Sequence, residues 1–133
     1  MAPEVVRIFA RAKGRERIIL ATDAISATGM PDGSYALGKH HVDVVGGVCR
    51  DVEGRLAGST LTQDRALKNL IQWTGMRLDD ALLAVTANPA KALALDGRGL
   101  LETGAFADFT LLDENLQVAR TYVGGTLVFA RAT

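Results

Sequence analysis

The sequence predicts an α/β chain that is incomplete as a stand-alone domain, and three observations carry that expectation. An amphipathic helix near the N-terminus leads into a strand whose apolar residues do not alternate. The strands that follow are short, broken by Gly and spaced as hairpins. Only one strand of the first kind is present, yet a doubly buried parallel strand needs neighbours for its backbone N–H and C=O groups.

The first element reads as a helix from Pro3 to Lys13. Pro3 suits a first helical position, Gly14 suits the residue after the last turn, and Lys13 places a cation at the helix end. Val5, Ile8, Phe9 and Ala12 recur at helical spacing and predict one apolar face. The run Arg17-Ile18-Ile19-Leu20-Ala21-Thr22-Asp23 then reads as a strand covered on both faces.

From Ser34 to Leu56 the pattern changes to short strands, with turns at Gly38-Lys39, Gly46-Gly47 and Glu53-Gly54. Three helices follow. One spans Thr62 to Thr74, with Ala66, Leu67, Leu70 and Ile71 inward and Gly75 ending it. The next is capped by Asp79 and carries Leu82, Leu83 and Val85. The third is capped by Asn88, has Pro89 in its first turn and runs towards Gly97. Strand-like runs close the chain at Phe106 to Leu112, Val118 to Val123 and Thr126 to Ala130. Their turns fall at Asp113 to Asn115 and at Gly124-Gly125.

The bulk properties narrow the function classes. With 133 residues and 48% of them apolar, the chain is long enough to bury a core. Fifteen basic residues balance fifteen acidic ones with no long block of either sign. That balance argues against nucleic acid or an anionic membrane as the main partner. A single cysteine, Cys49, allows no internal disulfide, which fits a reducing cytoplasm. Met1-Ala2-Pro3-Glu4 lacks the features of a signal peptide, and no apolar run reaches the roughly 20 residues of a membrane span. A soluble, cytoplasmic protein is expected.

Asp23 is the candidate catalytic residue. It stands where the apolar strand gives way to a loop of small residues, Ala24 to Gly33, and strand ends of this kind build active sites in α/β barrels. A carboxylate there can take and return a proton. The competing reading is that Asp23 only caps a turn or opens a surface loop. His40 and His41 are adjacent in a hairpin and point to opposite faces, so they do not chelate one ion together. Cys49 reads as a small buried residue, and Trp73 as core or interface.

Five segments change the weight of these readings. Ile19-Leu20-Ala21-Thr22-Asp23-Ala24 and Gly29-Met30-Pro31-Asp32-Gly33 resemble the N-acetylglucosamine-6-phosphate deacetylases of the amidohydrolase superfamily. Gly54-Arg55-Leu56-Ala57-Gly58-Ser59-Thr60-Leu61-Thr62 is similar to that family's substrate loop. Ala87 to Leu93 is similar to its Asn-Pro-Ala helix start, and Gly104 to Phe109 to the entry into its last strands. The resemblance covers essentially the whole chain. The final two segments are shared more widely across the superfamily.

The resemblance implies a fold and a chemistry. The fold is the C-terminal segment of a metal-dependent-hydrolase (β/α)8 barrel plus the closing strands of a small β-sandwich. Residues 1–98 would end the barrel and 99–133 would supply the sandwich strands. The implied reaction is hydrolysis of N-acetylglucosamine 6-phosphate to glucosamine 6-phosphate and acetate. A zinc-like divalent metal would activate water, with Asp23 as general base and then acid. Leu56, Ala57 and Gly58 match a substrate-contacting segment, and a Gly there fits close approach of main chain to ligand.

The family's glutamate and two histidine metal ligands match nothing in this chain, so the chain alone is expected to be inactive. Exposed apolar surface on such a piece predicts a homo-oligomer. Two other readings stay open: a sibling amidohydrolase acting on a cyclic amide or a base, and a non-catalytic assembly module.

Overall fold

The computed structural model describes residues 1–132. The chain divides into two compact units, one of Met1–Leu20 with Leu67–Thr133 and one of Ala21–Ala66.

In the first unit, helix α1 spans Pro3–Lys13, with Pro3 in its first turn. Gly14 closes it at φ 72°, donating its N–H to Ala10 O at 2.9 Å. The expected apolar face is turned the other way. Ala10 is buried and Val6 packs on the core, whereas Val5, Ile8 and Phe9 are 51%, 70% and 49% exposed. The small Ala10 admits close packing, and the larger side chains of the opposite stripe stay exposed among the described residues.

No strand forms over Arg17 to Asp23. Ile18 is extended and buried, Ile19 is 47% exposed and Leu20 is half-buried, so coverage alternates. Leu20 N–H donates to Ala84 O at 3.0 Å. The physical reason is that no strand among the described residues forms a ladder with the segment.

Helix α2 spans Gln63–Thr74 and buries Ala66, Leu67 and Leu70. Gly75 ends it, donating to Ile71 O at 2.9 Å. Helix α3 is Leu78–Leu82, continued by a 3₁₀ turn, Leu83–Val85. Arg77 and not Asp79 precedes α3. Asp79 lies in its first turn and pairs with Arg77 at 2.6 Å, which occupies the carboxylate that was expected to cap the helix. The fully buried residues here are Ala81 and Ala84, with the larger Leu82 and Val85 packed at the margin of the core.

Helix α4 spans Ala87–Ala92 after Thr86, shorter than the run towards Gly97, with Ala94 at φ 51° beyond its end. Asn88 is inside α4 and does not cap it. Its side-chain amide donates to Arg15 O and Ile18 O, both at 2.8 Å, so it ties the helix to the backbone after α1. The core cluster is Ala10, Ile18, Leu67, Leu70, Ala81 and Ala84.

The unit closes with an antiparallel sheet, β1 Phe109–Leu112, β2 Val118–Val123 and β3 Thr126–Ala130, in that order. Phe109 pairs with Tyr122, and their rings stack at 4.5 Å. The first strand begins at Phe109 because residues before it turn back: Phe106 N–H donates to Gly97 O, and the Arg98 guanidinium lies 4.2 Å over the Phe106 ring. Asp108 pairs with Arg98 and accepts the Gly124 N–H at 2.7 Å, which fixes the β2–β3 turn.

The second unit contains an antiparallel meander, β4 Gly33–Leu37, β5 His40–Val45 and β6 Val48–Asp51. Its turns fall at the glycines the sequence indicates. Along β5, Val42 and Val44 are buried while His41, Asp43 and Val45 are exposed, the alternation of a one-faced sheet. Ala27, Val42, Val44 and Cys49 form its core, joined by Ile25, Tyr35, Leu37 and Ala57. No helix among the described residues is long and apolar enough to cross a membrane.

Candidate active site

Asp23 lies in the second unit, at an irregular bend and not at a strand end. Its φ is 52°, the left-handed region, where a non-Gly residue pays roughly 1–2 kcal/mol relative to ordinary backbone. Asp is among the residues that tolerate this conformation, because its side chain is short and polar. Beside it, Thr22 Oγ1 accepts the Ala24 N–H at 3.3 Å, a local turn that competes with strand pairing. The Asp23 side chain is exposed, and its carboxylate makes no hydrogen bond or ion pair among the described residues.

The second candidate segment reaches the same place. After β6, the chain turns on Asp51, whose Oδ1 accepts the N–H groups of Glu53 and Arg55, each at 2.9 Å. Arg55 also donates to Asp51 Oδ2 from its side chain, and this guanidinium, with the Arg55 amide, holds the Asp51 carboxyl below its ordinary range. The turn delivers Leu56, which is 72% exposed and bridges Arg50, and Ala57, whose N–H donates to Cys49 O at 3.2 Å.

Gly58 and Ser59 then run alongside Asp23. Ser59 N–H donates to Asp23 O at 2.8 Å, Ile25 N–H donates to Ser59 O at 2.9 Å, and Ser59 Oγ donates to Thr22 O. This is a single parallel bridge between Ala24 and Ser59. Gly58 has φ 78°, and a Cβ there would stand 2.5 Å from Ile25 Cγ2, so only Gly fits this approach.

The Met30-Pro31-Asp32-Gly33 segment serves the same unit from another side. The Asp32 carboxylate accepts the N–H groups of Gly46 and Gly47, and Thr60 Oγ1 donates to Gly47 O at 2.6 Å. The β5–β6 turn is therefore fastened both to the loop after Asp23 and to the residue after Ser59.

The structure thus brings Asp23 together with the Leu56 to Gly58 segment. It leaves His40 and His41 exposed at the start of β5 and buries Cys49 in the meander core. Trp73 is half-buried on α2. No group of three or more His, Cys, Asp or Glu that could hold a metal occurs among the described residues. A zinc ion takes three or four such ligands, so this donor set does not fit one. Sequence pattern alone gives no role to Ser59, Asp32 or Asp51. The sequence signal at Ser59 is its place directly after Gly58 in the segment similar to the family's substrate loop.

Comparison with known proteins identifies the family. The model of the Amidohydrolase family matches residues 8–128. The chain is 39% identical over 132 residues to the N-acetylglucosamine-6-phosphate deacetylase of Vibrio furnissii, covering 98% of this chain and 33% of that protein. It is 42% identical over 114 residues to the N-acetylgalactosamine-6-phosphate deacetylase of Escherichia coli O157:H7, covering 85% of this chain and 30% of that protein. The crystal structure of N-acetylglucosamine-6-phosphate deacetylase from Thermotoga maritima superposes with a TM-score of 0.93 at 39% identity, over 98% of this chain and 36% of that one. The chain spans about a third of the length of these curated relatives. Over nearly its whole length, this chain belongs to the amidohydrolase family.

Proposed function

We propose that this chain is the C-terminal portion of an N-acetylglucosamine-6-phosphate deacetylase, in which Asp23 carries the proton of an amide hydrolysis. The observation that supports this most is the bridge between Ser59 and the backbone around Asp23, which joins two segments that resemble the deacetylases. In the proposed reaction, water attacks the acetamide carbonyl carbon and the C–N bond breaks. Asp23 takes the water's proton and returns it to the leaving nitrogen, giving the amine and acetate. Leu56, Ala57 and Gly58 contact the sugar phosphate mainly through backbone.

The divalent, zinc-like metal of the resemblance would be held by residues outside this chain. Residues 1–98 are proposed as the end of a (β/α)8 barrel and 99–133 as the closing strands of a small β-sandwich. The exposed Val5, Ile8 and Phe9 stripe and the wholly exposed β3 support a chain that other protein surface completes, including a homo-oligomer. A cytoplasmic location is proposed from the sugar-phosphate substrate and the single cysteine. A second reading, the epimeric N-acetylgalactosamine 6-phosphate as substrate, is favoured by the 42% identity to the Escherichia coli O157:H7 protein.

The test is acetate release from each sugar phosphate by a polypeptide in which this chain is completed to the length of its relatives. Turnover of roughly 1–1000 per second on one of them is expected, with negligible turnover by the 133-residue chain alone. Full turnover by the chain alone would overturn the placing of the metal outside it. No release from either substrate would overturn the proposed activity.

A further inference from the structure

We propose that Ser59 is a positioning residue for Asp23, fixing the direction of its carboxylate by holding the backbone on both sides of it. The inference rests on the reading of Asp23 as the proton carrier. A proton carrier must meet its partner atoms within hydrogen-bond reach, so something has to aim it. Nothing among the described residues grips the Asp23 carboxylate itself, so its direction follows from backbone φ and ψ and from the χ angles they allow.

Those dihedrals are held by one residue. The Thr22 C=O belongs to the peptide plane before the Asp23 Cα, and the Asp23 C=O to the plane after it. Ser59 Oγ donates to the first and Ser59 N–H donates to the second at 2.8 Å. The rotation between two planes, each anchored to the same partner, is fixed at a φ of 52° that a free Asp would leave for ordinary backbone. Ser59 is in turn anchored, because its C=O accepts the Ile25 N–H at 2.9 Å and its Oγ accepts the Leu61 N–H at 3.1 Å. With its proton committed to the Thr22 carbonyl, the hydroxyl serves geometry and not nucleophilic attack.

The test uses the polypeptide completed to the length of its relatives, with steady-state kinetics and metal content measured for each variant. Ser59→Ala removes one of the two anchors. It is expected to lower kcat by about 10–100-fold with KM changed less than about twofold, the signature of a misdirected group and not of lost substrate binding. Metal content should stay at the unsubstituted level. Ser59→Thr keeps the hydroxyl and should recover most of the kcat. In an Asp23→Asn background, Ser59→Ala should lower kcat no further, because the two residues act as one unit.

A raised KM with unchanged kcat would make Ser59 a substrate contact and overturn the proposal. A full additional loss in the Asp23→Asn background would do the same. Should Ser59→Ala fail to fold, Ser59→Cys keeps the amide and weakens the side-chain donor, and an unchanged kcat there would overturn the inference. The two levels separate cleanly. Turnover retained by Asp23→Asn removes the reading of Asp23 and this inference with it. Turnover lost by Asp23→Asn but kept by Ser59→Ala removes the inference alone.

Discussion

Gly58 lies directly against Asp23: a Cβ at position 58 would stand 3.1 Å from the Asp23 carbonyl oxygen. The same carbon would meet Ile25 Cγ2 at 2.5 Å, and the backbone there has φ 78°. Gly58→Ala therefore combines overpacking with left-handed strain, and a loss of about 1–3 kcal/mol of stability is expected. Urea unfolding of the chain measures it. An unchanged midpoint would contradict the close approach of Gly58 to Ile25 and the Asp23 carbonyl.

Asn88 stitches α4 to the backbone of Arg15 and Ile18 through both amide hydrogens. Asn88→Ala leaves two carbonyls without that donor and should cost about 1–3 kcal/mol. Asn88→Asp is the sharper comparison. It has the same shape, but an acceptor would then face two acceptors, so it should be the less stable of the two. An Asp variant as stable as Asn, read by denaturant midpoint, would contradict the assigned hydrogen bonds.

Asp113 closes the β1–β2 turn. The Arg131 guanidinium, then the backbone N–H groups of Gln117 and Asn115, hold its carboxyl below its ordinary value of 3.8. A depressed folded value means that the stabilisation is fully present above pH 3.8 and fades as pH falls through the lower, folded value. Asp113→Asn should remove that part of the acid sensitivity of the sheet. Carboxyl chemical shifts followed through an acid titration check it directly, and Arg131→Met should move the Asp113 midpoint upward. The pair is exposed, so high salt should weaken the effect.

Much of the fold was readable because local chemistry decides it. Pro3 and Gly14 bracket α1, and the glycine pairs at 46–47 and 124–125 mark hairpin turns, since these signals act within a few residues. The errors arose where distant contacts decide. The stripe of Val5, Ile8 and Phe9 has the right period for a buried face, but periodicity does not say which surface receives it. The Arg17 to Asp23 run has the composition of a buried strand, but no strand among the described residues forms a ladder with it. Asn88 has the chemistry of a cap and spends it on carbonyls 73 and 70 residues away.

The candidate site divides in the same way. Asp23 and Leu56 to Gly58 were legible as motifs. Their contact was not, because it depends on a parallel bridge between residues 35 positions apart (24 to 59), and no local pattern encodes that. Ser59 went unassigned for the same reason. Its hydroxyl and amide acquire a role only when Thr22 and Asp23 are folded against them.

The central claim is that Asp23 carries the proton, and one measurement bears on it most directly. Acetate release from N-acetylglucosamine 6-phosphate is compared between Asp23→Asn and the unsubstituted sequence in the polypeptide completed to the length of its relatives, with metal content recorded for both. The expected result is a fall in kcat of about 10²–10⁴-fold with metal content unchanged. Turnover retained by Asp23→Asn would contradict the account, and loss of metal along with activity would make Asp23 a ligand instead of a proton carrier.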